Sequence, residues 1–249
     1  MLWDTDGTTW RAGTPILHAD AGGFVPRSAP VRYQIILEPH GKQWLYALDA
    51  PVEPPPGARL AAGRVLPRPR PLLERWSYEL VSYPRYQTGA LAPTERARAL
   101  ALPRAVSERV RALALDWRSA GPPGTAADAR VVTAALQYFR REPFHYTLTP
   151  PALGNDPVDA FLFEARRGFC EHYASAFVTL MRAAGIPSRV IAGYQGGVYN
   201  PAGNYFLVRQ ADAHAWAEVW LPGQGWQRVD PTAAVAPERV EHGIDAVRR

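Results

Sequence analysis

The stretch "RRGFCEHYASAFVTLMRAAGIPSRV" constrains the fold more than any other in this chain. Its apolar residues Ala174, Phe177, Val178 and Met181 recur at helical spacing, so they define one buried face. Gly185 ends the helix and Pro187 prevents its continuation, which predicts a helix from Cys170 to about Ala184. Strand patterns follow it: "SRVIAGYQ", "NYFLVRQ", "AHAWAEVWL" and "GWQRVD". A largely apolar helix this close to alternating strands must lie against the sheet they form.

The same stretch holds the only cysteine of the 249 residues. A helix start presents unpaired backbone N–H groups and the positive end of the helix dipole, and both favour an anionic sulfur. The preceding Gly168 permits a close approach to that sulfur. The plainer reading of a lone cysteine is a small buried hydrophobe. A single cysteine also excludes an intramolecular disulfide framework.

A nucleophilic sulfur needs a proton carrier, and six histidines are available. His172 lies at i+2 on the helix and points to a different face, so it reads as structural. His18, His40 and His242 fall outside the helix-plus-sheet region, and His145 sits on a loop. His214 is placed differently. Strand alternation puts His214, Trp216, Glu218 and Trp220 on one face, with Ala215, Ala217 and Val219 on the other. Small residues on that second face suit close packing against a helix. "LPGQGW" reads as a turn and "WQRVDP" as the returning antiparallel strand. A turn near Gly223-Gln224 sets His214 opposite residues 232–233. Asp230 is then a diagonal neighbour at about 7–8 Å between Cα atoms, within reach of a hydrogen bond to the imidazole. Cys170, His214 and Asp230 thus form a nucleophile, a base and an orienting carboxylate. Taken singly, His214 also reads as a half-buried ring beside tryptophans, and Asp230 as a turn residue before Pro231.

Other chemistries find less support. "CEH" diverges on a helix, and no CxxC or HExxH occurs, so no metal is expected. No phosphate-cradling glycine loop is present; "GYQGGVYNPAGNY" reads as a hairpin loop. No cofactor is expected. The net charge is +5, but the arginines are scattered and Lys42 is the single lysine, so no nucleic-acid partner is expected.

Residues 1–92 read as a β-rich domain of sandwich-like or open-barrel type, with strands at "VRYQIILEP", "HGKQWLYAL" and "LLERWSYELVSYP" and a hairpin turn at Asp6-Gly7. Residues 93–249 read as α+β, helices first and an antiparallel sheet after. Thr125 is a candidate N-cap, and Asp156 with Pro157 marks another helix start. No signal peptide and no membrane-spanning apolar run is visible, so the chain as given reads as a soluble piece.

The blocks "GFCEHYASAFVTLMRAAGIPSRVIAGY", "DAHAWAEVW" and "GWQRVDPT" resemble the core of the transglutaminase-like superfamily. Together with "YTLTPPALGNDPVDAFLFEARRGFCEH" and "LWDTDGTTWRAG", they resemble the extracytoplasmic domain of bacterial membrane-bound protein-glutamine γ-glutamyltransferases. The resemblance implies a papain-like α+β core with a Cys170–His214–Asp230 triad. It also implies acyl transfer from a glutamine carboxamide through a thioester to an amine donor. It implies a periplasm-facing domain of an inner-membrane protein, held to the membrane only by transmembrane helices outside this chain. A cysteine protease or amidase would share every one of these residues. A non-catalytic binding module is a further alternative. A single lysine leaves little for self-cross-linking by such a transferase.

Overall fold

The computed structural model describes residues 2–5, 10–12, 23–103, 106–124 and 126–242. The expected turn at Asp6-Gly7, His18 and the candidate cap Thr125 lie outside them. By Cα proximity the chain divides into two compact units: residues 1–2 with 12–90, and residues 3–11 with 91–249.

Strands β1 (Leu2–Thr5) and β2 (Trp10–Ala12) form one edge of a five-stranded sheet otherwise built from the second half of the chain. The first unit contains β3 (Phe24–Pro26), β4 (Val31–Leu37), β5 (Trp44–Leu45), β6 (Leu66–Pro67), β7 (Trp76–Ser82) and β8 (Tyr86–Thr88). These pair antiparallel as β3–β8, β4–β7 and β5–β6. The longest ladder, β4–β7, alternates as the sequence predicts, turning Tyr33, Ile35 and Leu37 onto a small core of Leu45, Leu66, Tyr78 and Leu80.

In the second unit come α1 (Pro93–Leu100), α2 (Glu108–Ser119) and α3 (Ala127–Arg141). The Ser107 side chain caps α2 by accepting from the Val110 N–H, which meets one of the unpaired donors of the first turn. A short strand β9 (His145–Tyr146) leads to α4 (Pro157–Ala160), capped by Asp156 with Pro157 at the first position. The helix widens into a π-helical turn over Phe161–Ala165 and ends on Arg166 in the left-handed region, φ 49°. Strand β10 (Arg167–Gly168) then pairs parallel with β9, and α5 (Cys170–Ala183) begins two residues later. Gly185, at φ 79°, terminates it as the sequence predicts.

The sheet continues with β11 (Ser188–Tyr194), β14 (Ala213–Leu221) and β15 (Gly225–Val229). Between β11 and β14 an exposed hairpin is formed by β12 (Val198–Asn200) and β13 (Tyr205–Leu207). The sheet order is β15-β14-β11-β1-β2. Helix α5 lies across β14, as the small residues Ala215, Ala217 and Val219 allow, and its Tyr173, Ala174, Phe177, Leu180 and Met181 are fully buried. Burying a side chain of the Leu or Phe class contributes roughly 1.5–3 kcal/mol, so this helix is the rigid centre of the unit. The last element, α6 (Pro237–His242), has no counterpart in the sequence reading.

Candidate active site

Cys170 occupies the first turn of α5 and is 9 % exposed, at the edge of the core and not free in solvent. Two residues before it, Gly168 has no room for a side chain. A Cβ there would stand 2.7 Å from His172 Cγ and 3.0 Å from the Phe161 ring. His172 sits against this glycine because its Nδ1 accepts the Phe169 N–H at 3.4 Å, a long bond that closes the start of the helix. Burial pulls the His172 imidazole below its ordinary pKa, so the ring stays neutral, as the accepting role requires. The Gly168→Ala chain should be less stable by about 1–3 kcal/mol from overpacking. That corresponds to a thermal midpoint roughly 2–10 °C lower. A calorimetric scan reads it, and an unchanged midpoint would show that His172 moves aside freely.

His214 enters from β14 and is 3 % exposed. The observed register pairs Leu221 with Gly225 and Ala217 with Val229. Extended by three residues, it sets His214 opposite 232 and Asp230 diagonal to it, as the alternation predicts. His214 Nε2 and Asp230 Oδ2 are 2.6 Å apart. The other carboxylate oxygen, Oδ1, accepts the Thr232 N–H at 3.1 Å, where Pro231 starts a 3-10 turn. The two readings of Asp230, turn residue and histidine partner, therefore coexist, and the turn is what locks the carboxylate.

The remaining ring nitrogen, Nδ1, is buried and makes no hydrogen bond of ordinary geometry. Cys170 is nevertheless close enough to act on the ring. Burial depresses the imidazole pKa. Hydrogen bonding and charge from Asp230, together with hydrogen-bonding and charge effects from Cys170, outweigh burial, and the net shift is upward. Bases often stand off their nucleophile before substrate arrives.

Trp216 braces the arrangement. Its ring stacks on His214 at 6.2 Å between centroids, lies over Gly193 where a Cβ would meet it at 2.8 Å, and carries the Arg228 guanidinium at 4.1 Å on its own face. Trp226 is equally buried, held between Arg189 at 3.9 Å and a hydrogen bond to Glu95 at 3.2 Å. Of the two tryptophans, only Trp216 touches the site. His145 is on a strand and exposed, and His40 belongs to the other unit.

Sequence reasoning overlooked two polar side chains that border the site's elements. Tyr146 on β9 is in register with Gly168. Arg239 on α6 is 1 % exposed and donates from Nη2 to the Ala213 carbonyl at 2.9 Å, immediately before His214. Neither carries a local sequence signal.

The candidate site is thus a buried sulfur in the first turn of a core helix and an Asp-held imidazole on the antiparallel strand packed against that helix. The chain belongs to the transglutaminase-like superfamily: the family model of that name matches residues 119–231, and the TgpA N-terminal domain model matches residues 1–89. It is 46 % identical over 241 residues to the protein-glutamine γ-glutamyltransferase of Pseudomonas aeruginosa, covering 96 % of this chain and 36 % of that protein. The crystal structure of the periplasmic domain of TgpA from P. aeruginosa superposes with a TM-score of 0.91 at 46 % identity, covering 98 % of this chain and 84 % of that one. The Bacillus subtilis protein YebA is 39 % identical over 142 residues, covering 54 % of this chain and 19 % of that protein. The chain therefore spans about a third of the full-length Pseudomonas relative and corresponds to its periplasm-facing domain. Among the described residues, no helix is long and apolar enough to cross a membrane.

Proposed function

We propose that this chain is the catalytic region of a protein-glutamine γ-glutamyltransferase, with Cys170 as nucleophile, His214 as base and acid, and Asp230 as orienter. The reading rests above all on the 2.6 Å His214–Asp230 pair, which occupies Nε2 and leaves Nδ1 as the ring nitrogen available to the sulfur. The Pseudomonas relative's name supplies the substrate class, and residues 93–249 carry the chemistry.

The Cys170 sulfur attacks the γ-carboxamide carbon of a glutamine side chain as its proton passes to His214 Nδ1. The C=O electrons move onto oxygen, and the Cys170 backbone N–H, at the helix start, is one donor for that oxyanion. The oxygen then restores the carbonyl, the C–N bond breaks, and His214 returns the proton to the leaving ammonia. A thioester remains. A primary amine attacks it, His214 takes the amine proton, and an isopeptide forms as the sulfur leaves. Asp230 keeps the ring in place through both steps, and its charge favours the imidazolium. In the full-length protein, transmembrane helices outside this chain hold the domain at the membrane.

Incubation with a glutamine peptide and a labelled primary amine tests the reading. The expected result is ammonia release with stoichiometric label on the peptide. Ammonia release with glutamate formed and no label incorporated would make the domain an amidase or protease instead.

A further inference from the structure

The segment between β11 and β14 carries apolar surface that the fold does not use. Among the described residues of the second unit, eight large apolar side chains are exposed, and six of them fall within residues 198–208; the other two are Leu115 and Leu148. Single exposed apolar residues are ordinary, but a contiguous cluster marks a surface that meets something.

The cluster has two sides. The β12–β13 register sets Val198 opposite Leu207, Tyr199 opposite Phe206 and Asn200 opposite Tyr205. Strand alternation then puts Val198, Leu207 and Tyr205 on one face, and Tyr199 and Phe206 on the other. All five are 49–69 % exposed, so the described residues cover neither face. A flat protein surface covers one face of such a hairpin at a time. A fluid apolar layer covers both.

The tip is also made to leave water. Residues 195–208 carry no charge. The Tyr199 hydroxyl donates to Asn204 Oδ1 and Asn200 Nδ2 donates to the Tyr205 oxygen, each at 2.9 Å. Asn200 Oδ1 accepts the N–H groups of Ala202 and Gly203 at 3.0 and 3.3 Å. Much of the polar demand of the turn is thus met within it, which lowers the cost of taking it out of water.

The base is braced and basic. It continues the β11–β14 ladder, where Gly193 pairs with His214 and Tyr194 with Ala213. Gln195 Nε2 donates to the Val240 carbonyl at 2.7 Å, and its Oε1 accepts from the exposed Arg228 at 2.6 Å. Arg209, directly after the uncharged run, is held by the buried Asp212 at 3.1 Å. Two guanidiniums therefore flank a neutral apolar tip, a charge pattern complementary to anionic headgroups over hydrocarbon.

We propose that the β12–β13 hairpin seats this domain on an anionic phospholipid surface, with its tip in the interfacial layer and Arg209 and Arg228 at the headgroups. The chain corresponds to a periplasm-facing domain of a membrane protein, so a bilayer is at hand. The outer edges of a two-stranded hairpin leave backbone groups unpaired. The tip therefore stops at the headgroup boundary, where tyrosine is favoured, and does not enter the hydrocarbon core. The ladder that carries His214 runs into the hairpin, so seating it holds the candidate site near the membrane. The inference is independent of the acyl-transfer reading.

Flotation of the chain with vesicles of phosphatidylethanolamine and phosphatidylglycerol tests it. The parent chain should float with them, and the Phe206→Ser/Leu207→Ser variant should partition about tenfold more weakly. Its thermal midpoint and Cys170 alkylation rate should match the parent's, because both side chains are exposed. Phosphatidylcholine vesicles should bind the parent more weakly; equal binding would overturn the role given to the arginines. In a Cys170→Ala background, a nitrobenzoxadiazole label on Ala202→Cys should brighten with vesicles and be quenched by nitroxides on the lipid chains. The same label on Leu115→Cys should not respond. Should the double variant lose its fold, the two labels decide. A parent chain that stays unbound, a folded double variant that floats equally, or labels that respond alike would overturn the proposal. So would a dimer, formed without lipid and lost in the double variant, in a chain that does not float: the hairpin would then meet a second copy.

Discussion

Cys170→Ala should reduce ammonia release and amine incorporation together to background, a loss on the order of a million-fold if acyl transfer follows the pattern of other covalent triads. The sulfur is the atom to which carbon bonds, so neither the imidazole nor the oxyanion donors replace it; they only lower the barrier of a step that no longer exists. The loss is chemical and not structural. Cys170 sits at the margin of the core, and alanine keeps the helix start, with its N–H groups unchanged. A thermal midpoint close to that of the parent chain accompanies the loss. Undiminished turnover would remove the nucleophile assignment, and with it both the transferase and the hydrolase readings, leaving the chain as a binding module.

Asp230→Asn should lower kcat by roughly ten thousand-fold, the scale seen where a triad carboxylate is neutralised without changing its shape. The amide presents an N–H where the carboxylate accepts, which favours the wrong imidazole tautomer. The same variant has a pH signature in stability. In the parent chain the His214 pKa is raised: burial works against the charged ring, and the hydrogen bonds and charges of Asp230 and Cys170 overcome it. A group whose folded pKa lies above its unfolded value contributes stability below the unfolded value, about 6.5 for histidine, and loses that contribution as pH rises through the folded value. The parent chain should therefore exceed Asp230→Asn in stability by more at pH 5.5 than at pH 9. Urea unfolding at the two pH values reads this. An equal difference at both would mean that Asp230 holds only the turn at Thr232 and does not support a charged ring.

The geometry of the candidate site was legible in the sequence wherever it is local. Gly185 and Pro187 bound the α5 helix, and Asp156 with Pro157 starts α4, because caps are written in neighbouring residues. The His214–Asp230 pairing was legible because one tight turn, "LPGQGW", sets the register of the whole hairpin. Elements fixed by distant contacts were not. Nothing in Leu2–Thr5 and Trp10–Ala12 says that they join the sheet of the second unit. The run after Pro157 reads as one helix, but a π-helical turn at Phe161–Ala165 interrupts it before Arg166. Arg239 is one arginine among many in a short polar helix. Its place beside Ala213 comes from tertiary packing through Val240 and Gln195, which has no sequence period. The buried sulfur is a further difference: the sequence suggests that Gly168 opens an approach to Cys170, but the space beside Gly168 is filled by His172 and Phe161.

The rate of Cys170 alkylation by iodoacetamide across pH 5–9, in the parent chain and in His214→Ala, bears most directly on the pairing of sulfur and imidazole. The parent chain should react at pH 6–7 at least tenfold faster than His214→Ala, whose rate climbs only toward the alkaline end. Superimposable profiles in the two chains would contradict the pairing.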